Sequence, residues 1–186
     1  MMRLVLLPLV LLFGLAHAAD PLTKKDVEGF LAVAEELKAM DEKYPDVEID
    51  FTDAESDPMG FMTKMFDEQG ELQLIDMIIA RTEEHPEVQR DIENSVKRNG
   101  FGSLDNFAEV GDQVLLTSIR MGMSQSEVRE LQQSANIPEA QLAMVPANMR
   151  PMLERMSMFA KALDKVPEAD VALVRQYKDR FEALSE

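Results

Sequence analysis

The chain contains no cysteine and no tryptophan. Without cysteine no disulfide can form, and thiolate metal sites, cysteine nucleophiles, covalent c-type haem and a cysteine-borne lipid anchor are excluded. Histidine is nearly missing as well. Of the two present, His17 falls within an N-terminal leader, which leaves His85 beside Pro86. General acid–base chemistry usually needs a histidine or a buried carboxylate pair, and His85 reads as an exposed residue at a helix boundary. No G-x-S-x-G elbow, H-E-x-x-H, P-loop or G-x-G-x-x-G occurs. The E-x-x-H pairs of di-iron bundles are missing too, and Gly100-Phe101-Gly102 is too short to cradle a phosphate. Positive charge is scarce, with Lys+Arg 19 against Asp+Glu 35 and a net charge of −16. Such a charge repels phosphate backbones and anionic lipid, so nucleic acid is not an expected partner. These absences together point away from an enzyme and away from a bound cofactor.

What the chain does have begins with that leader. Arg3 supplies a positive start, Leu4 to Leu15 an apolar run, and Ala16-His17-Ala18 an A-x-A cleavage site. The run is too short for a membrane-spanning helix, which needs about 20 apolar residues. No second apolar run could span a membrane, since Leu74 to Ala80 is short and carries Asp76. Residues 1–18 are therefore expected to be a cleaved secretory signal, and the protein periplasmic or secreted. Cleavage leaves 168 of the 186 residues and a net charge of −17 once Arg3 is gone. That length suits one domain, 19–186.

The organising stretch is Phe101 to Met123, FGSLDNFAEVGDQVLLTSIRMGM. Gly100 and Gly102 break the chain before it, and Ser103 stands at an N-cap position. From there Leu104, Phe107, Ala108, Gly111, Val114, Leu115, Ser118, Ile119 and Gly122 recur at steps of three and four, the spacing of one helical face. Asp105, Glu109, Asp112, Gln113 and Arg120 fall mainly on the other side. Two glycines inside the apolar stripe imply close approach of another helix backbone, because each costs roughly 1 kcal/mol relative to alanine. The stretch holds no paired reactive groups, so it reads as a scaffold axis.

FGSLDNFAEVGDQVL, together with the closing pattern Pro167-Glu168-Ala169-Asp170-Val171, resembles a family of small, secreted, all-helical Gram-negative bacterial proteins of unknown function. The resemblance covers the last half of the chain. It implies an exported helical fold and carries no catalytic residues with it.

Before the central stretch, Thr23 with Asp26 forms a capping box for a helix to about Lys43, ended by Tyr44-Pro45. An acidic connector, near 44–57, comes next. Asp46, Glu48, Asp50 and Asp57 occupy positions 1, 3, 5 and 12 of a calcium-loop template, but Phe51 stands where the template needs glycine. A solvated connector pinned by Ile49 and Phe51 is the simpler reading. Asp57-Pro58 is a helix start. Gly70 kinks or divides that helix, and Leu72, Leu74, Ile75, Ile78 and Ile79 continue it to about Glu84. Pro86 to Arg98 makes a further helix on Val88, Ile92 and Val96, closed by Asn99-Gly100. After the central helix, Ser124 and Glu127 form a capping box for a helix to about Ser134. Another runs from Ala147 or Pro151 to Lys165, and Pro167 opens a last one. Val47 to Phe51 is the only strand candidate, and a poor one. The expected fold is all-α: a single compact bundle of about six to eight helices around a central helix near residues 104–121.

Methionine is the one abundant unusual residue, 14 in all and 12 without Met1 and Met2. Met59, Met62 and Met65 are spaced by three, and Met149, Met152, Met156 and Met158 crowd a second helix. Adaptable thioethers at helical spacing serve either as core or as a plastic surface for apolar partners. The surface reading names Met59, Met62, Met65, Met149, Met152 and Met156 as a face that engages a protein or peptide. The function expected is therefore non-catalytic binding or an accessory role, with a chaperone-like adaptor as a separate, third reading. A Cu(I) or calcium binding protein is the alternative, although methionine copper sites normally include histidine or cysteine.

Overall fold

The computed structural model describes residues 20–45, 47, 56, 60–61, 64–67, 71–135, 138, 144–147 and 149–184. The expected signal at 1–18 lies outside them, as do the connector acids Asp46, Glu48, Asp50 and Asp57 and the start at Asp57-Pro58. The described chain is helical throughout, and the one extended pairing is an isolated antiparallel bridge between Phe66 and Leu72. Its helices are α1 (Lys24–Lys43), α2 (Leu74–Ala80), α3 (Pro86–Arg98), α4 (Leu104–Gly122), α5 (Gln125–Ala135), α6 (Arg150–Asp164), α7 (Glu168–Val174) and α8 (Lys178–Leu184), with a 3₁₀ turn at Arg175–Tyr177. Among the described residues no helix is long and apolar enough to cross a membrane.

Local chemistry sets most of the ends. Thr23 and Asp26 form the reciprocal capping box of α1, and the Ser103 hydroxyl accepts from the Asn106 amide at the start of α4. Ser124 and Glu127 form the same reciprocal pair for α5. Pro86 occupies the first turn of α3, and Gly100 closes the turn after it at a φ of 95°, a region that glycine enters freely.

The central helix α4 touches α1, α2, α3, α6 and α7. Its apolar side carries Phe107, Ala108, Gly111 and Val114 into the main core, which contains Val27, Phe30, Leu31, Val33, Ile75, Val88, Ile92, Val96, Phe101 and Val174. Phe107 stacks on Phe30 with centroids 5.9 Å apart and meets Phe101 edge-on at 5.2 Å. The expectation of a polar outer side fails at one residue. Asp112 is 4% exposed, because α2 packs on that flank and draws the carboxylate inward.

The two glycines of α4 behave differently from each other. A Cβ at Gly111 would meet Ile75 Cγ1 at 3.0 Å and Phe30 Cε2 at 3.1 Å, so side chains fill the space the sequence assigned to a backbone. Among the described residues nothing lies within 4 Å of a Cβ at Gly122. The close backbone approach occurs at Gly29 of α1, where a Cβ would stand 2.8 Å from the Asn99 carbonyl oxygen.

Two segments depart from the expected helices for tertiary reasons. Leu72 leaves the helical run to pair with Phe66, with Gln73 N donating to Met65 O at 2.8 Å and Asp67 N to Glu71 O at 3.0 Å. The helix after it is correspondingly short, and residues 81–84 form turns. The last helix breaks at the 3₁₀ turn because its halves serve different neighbours: α7 lies on α4, and α8 lies on α1. There Arg180 donates twice to Glu35, at 2.9 and 2.7 Å, and Lys38 Nζ reaches the Ala183 carbonyl at 3.0 Å.

Replacing Gly29 by alanine drives a methyl into a backbone carbonyl and costs about 1–3 kcal/mol, the usual range for overpacking. Gly122→Ala at the exposed end of α4 gains up to about 1 kcal/mol of helix propensity. Thermal unfolding of the two variants should move in opposite directions. Equal melting temperatures would contradict the close approach at Gly29.

Candidate functional site

The six methionines nominated by spacing fall into different environments. Met59 and Met62 lie outside the described residues, as does the side chain of Met152. Met65 is half-buried in a second, smaller cluster of Phe66, Leu72 and Ala162, with Leu74, Leu115, Leu116, Met158 and Phe159 around it. Met149 and Met156 are exposed, at 44% and 45%. Met65 therefore belongs to the packing beneath α6, whereas Met149 and Met156 stand outside it.

The reason lies in how α6 is covered. Met149, Leu153, Met156, Ala160 and Leu163 recur at steps of four and three, which puts them on one stripe of the helix. Ala160 and Leu163 at the C-terminal end are 1% and 0% exposed. Leu153 is half-buried, and the two methionines open to solvent. One continuous apolar seam thus begins in the core and runs out of it along the first half of α6. Met144, in the turn region before α6, is 79% exposed, and Ile119 near the end of α4 is exposed too. Helical spacing sets Ile119 on the core-facing stripe, which the structure overturns because the C-terminal end of α4 runs past the buried residues of the main core, and it does not nominate Met144. α6 packs on α4 and, more extensively, on α5. Charges on these helices are mixed: Arg150, Glu154 and Arg155 on α6, and Glu127, Arg129 and Glu130 on α5. Arg155 Nη1 donates to Met158 Sδ at 3.4 Å, which ties that thioether to the helix.

The chemistry that sequence reasoning missed sits at the centre. α2 has no side-chain cap of its own, and Asp112 from α4 supplies one, its Oδ1 accepting from the Ile75 amide at 3.1 Å. Burial raises the Asp112 carboxyl to about 7, with backbone hydrogen bonds from Ile75 and Leu74 opposing the rise and the charge of Asp76 adding to it. Asp76 itself is raised by burial and by Asp105. A second buried carboxylate, Asp170 of α7, accepts from the Leu22 amide and from Gln113 Nε2, each at 3.2 Å. Gln113 Nε2 also donates to the Asp20 carbonyl at 3.0 Å. Both carboxylates are engaged in holding segments together.

Two clefts among the described residues are open and lined by paired charges. One of about 380 Å³ between α1 and α3 is lined by Glu36, Ala39, Met40, Lys43, Asp91 and Arg98. Lys43 and the Tyr44 hydroxyl both donate to Asp91, the latter at 2.8 Å, and together they hold its carboxyl below the usual range. Arg98 pairs with Glu36. Ser95, Asn99 and Arg98 lower the Glu36 carboxyl against its burial, Ser95 most of all. Among the described residues the buried Ser95 Oγ makes no hydrogen bond of ordinary geometry. A second cleft, about 310 Å³, is lined by Glu93, Val96, Lys97, Gly102, Ser103 and Leu104. Among the described residues no group of three or more His, Cys, Asp or Glu side chains could hold a metal ion. No family model, curated protein or solved structure matches the chain.

The raised Asp112 carboxyl makes stability depend on pH with a definite sign. The unfolded chain releases this proton near 3.8 and the folded chain near 7. The group's stabilising contribution is therefore full at acidic pH and is lost as pH rises through that window. Asp112→Asn keeps an acceptor for Ile75 and removes the ionisation. Its melting temperature should exceed the parent's above pH 7, with the gap closing toward pH 4. A gap that does not change with pH would contradict the assignment.

Proposed function

We propose that this is an exported, acidic, non-catalytic binding protein that uses the open half of the α6 seam to hold an apolar segment of another protein or peptide. The observation that carries the reading is the exposure of Met149 and Met156 on the same stripe as the buried Ala160 and Leu163. Unbranched, polarisable thioethers adapt to varied apolar side chains, which suits a surface that accepts a helix rather than one rigid ligand. The net charge of −16 selects the sign of the partner. Because the charges beside the seam are mixed, this selection acts through the field of the whole chain, steering a cationic partner in and weakening with salt. The occupant is thus an amphipathic helical segment with an apolar face and basic flanks. Met144 is exposed in the turn region before α6; Met59, Met62 and Met152 belong to the same methionine-rich segments by sequence.

A synthetic amphipathic peptide of leucine and lysine tests this. It should bind, and its affinity should fall as salt rises. Exchanging Met149 and Met156 together for glutamine should raise Kd by roughly tenfold or more, since burial of each thioether contributes about 1–2 kcal/mol. The melting temperature should stay put, because both side chains are exposed. An unchanged Kd in the double variant, or equal binding of a leucine and glutamate peptide, would overturn the proposal.

A further inference from the structure

The fold sorts the methionines by access to solvent. Met144, Met149 and Met156 are 79%, 44% and 45% exposed. Met65 and Met158 pack into the second cluster, and Met40 and Met121 against the main core. The Met158 sulfur also accepts a hydrogen bond from Arg155, which engages a lone pair. With no cysteine in the chain, thioethers are its only sulfur nucleophiles. Oxidation of sulfur follows exposure, and the sulfoxide is polar where the thioether was apolar.

We propose that Met144, Met149 and Met156 form a reversible oxidation site that switches the α6 seam from apolar to polar. The oxidant is a hydroperoxide. The thioether sulfur attacks its terminal oxygen, an S–O bond forms, the O–O bond breaks, and the proton leaves with the remaining oxygen as water or alcohol. Sulfur is oxidised by two electrons and the peroxide reduced by two. A thiol-dependent methionine sulfoxide reductase returns the thioether, with the oxygen leaving as water and two thiols joining as a disulfide. The consequence for binding rests on the reading of the seam as a docking face, whereas the order of oxidation stands on exposure and packing alone.

Limiting hydrogen peroxide followed by peptide mass mapping reads the order directly. Met144, Met149 and Met156 should oxidise several times faster than Met65 and Met158, with the melting temperature of the oxidised protein unchanged. Equal rates, or unfolding once these three are oxidised, would overturn the site. Binding of the leucine and lysine peptide should be lost on oxidation and return with reductase. In a Met149→Leu, Met156→Leu variant, which keeps an apolar seam, binding should survive peroxide. Peptide retained by the fully oxidised parent, or lost equally from the leucine variant, would overturn the switch while leaving the docking face intact. Failure of the reduced parent to bind the peptide would count against the docking face and with it the switch, and the ratio of oxidation rates would then decide the site alone.

Discussion

Three consecutive residues of α4 hold the molecule together. Gly111 has no Cβ, so Phe30 of α1 and Ile75 of α2 lie directly on the helix surface. Asp112 turns its carboxylate onto the open end of α2, a helix of seven residues that is too short to persist on its own. Gln113 donates to Asp170 of α7 and to the backbone at Asp20. A glycine, an acid and an amide in succession thus join α1, α2, α7 and the start of the described chain to one axis. Gly29 then seats α1 against the turn between α3 and α4, where Phe101 completes the aromatic stack.

This arrangement has an electrostatic cost. A buried carboxylate loses its hydration, and it is tolerated where hydrogen bonds replace the water. Asp170 receives two donors at 3.2 Å, from a backbone amide and a side-chain amide. Burial of Asp112, with the charge of Asp76 adding to it, outweighs the Ile75 and Leu74 amides that oppose the rise, so this carboxyl keeps its proton to about 7. Both acids are engaged in the architecture, away from the surface. There the ionic pairs between α1 and α3 and between α1 and α8 satisfy one another. Along the first half of the α6 seam, by contrast, Met149 and Met156 open to solvent.

Much of the fold was readable residue by residue. The capping pairs at Thr23–Asp26, Ser103–Asn106 and Ser124–Glu127 are local, requiring only neighbours three positions away. Pro86 and Gly100 act through their own backbone preferences. Asp112 and Leu72 were misplaced because their roles depend on partners distant in sequence or in another element: the open end of α2 for one, and Phe66 for the other. The candidate site was legible only as far as its period. Met149 and Met156 share their spacing with Ala160 and Leu163, and no periodic pattern separates the half of a stripe that is covered from the half that is not.

Whether the proposed docking face on α6 takes an apolar partner is the central question, and methyl-labelled methionine NMR reads it directly. Spectra are recorded with a soluble paramagnetic agent and then with the leucine and lysine peptide. With the agent, the methyl signals of Met144, Met149 and Met156 should broaden. With the peptide, those of Met149 and Met156 should shift, while Met65 and Met158 respond to neither. Signals from Met149 and Met156 that stay sharp with the agent and unmoved by the peptide would contradict the docking face.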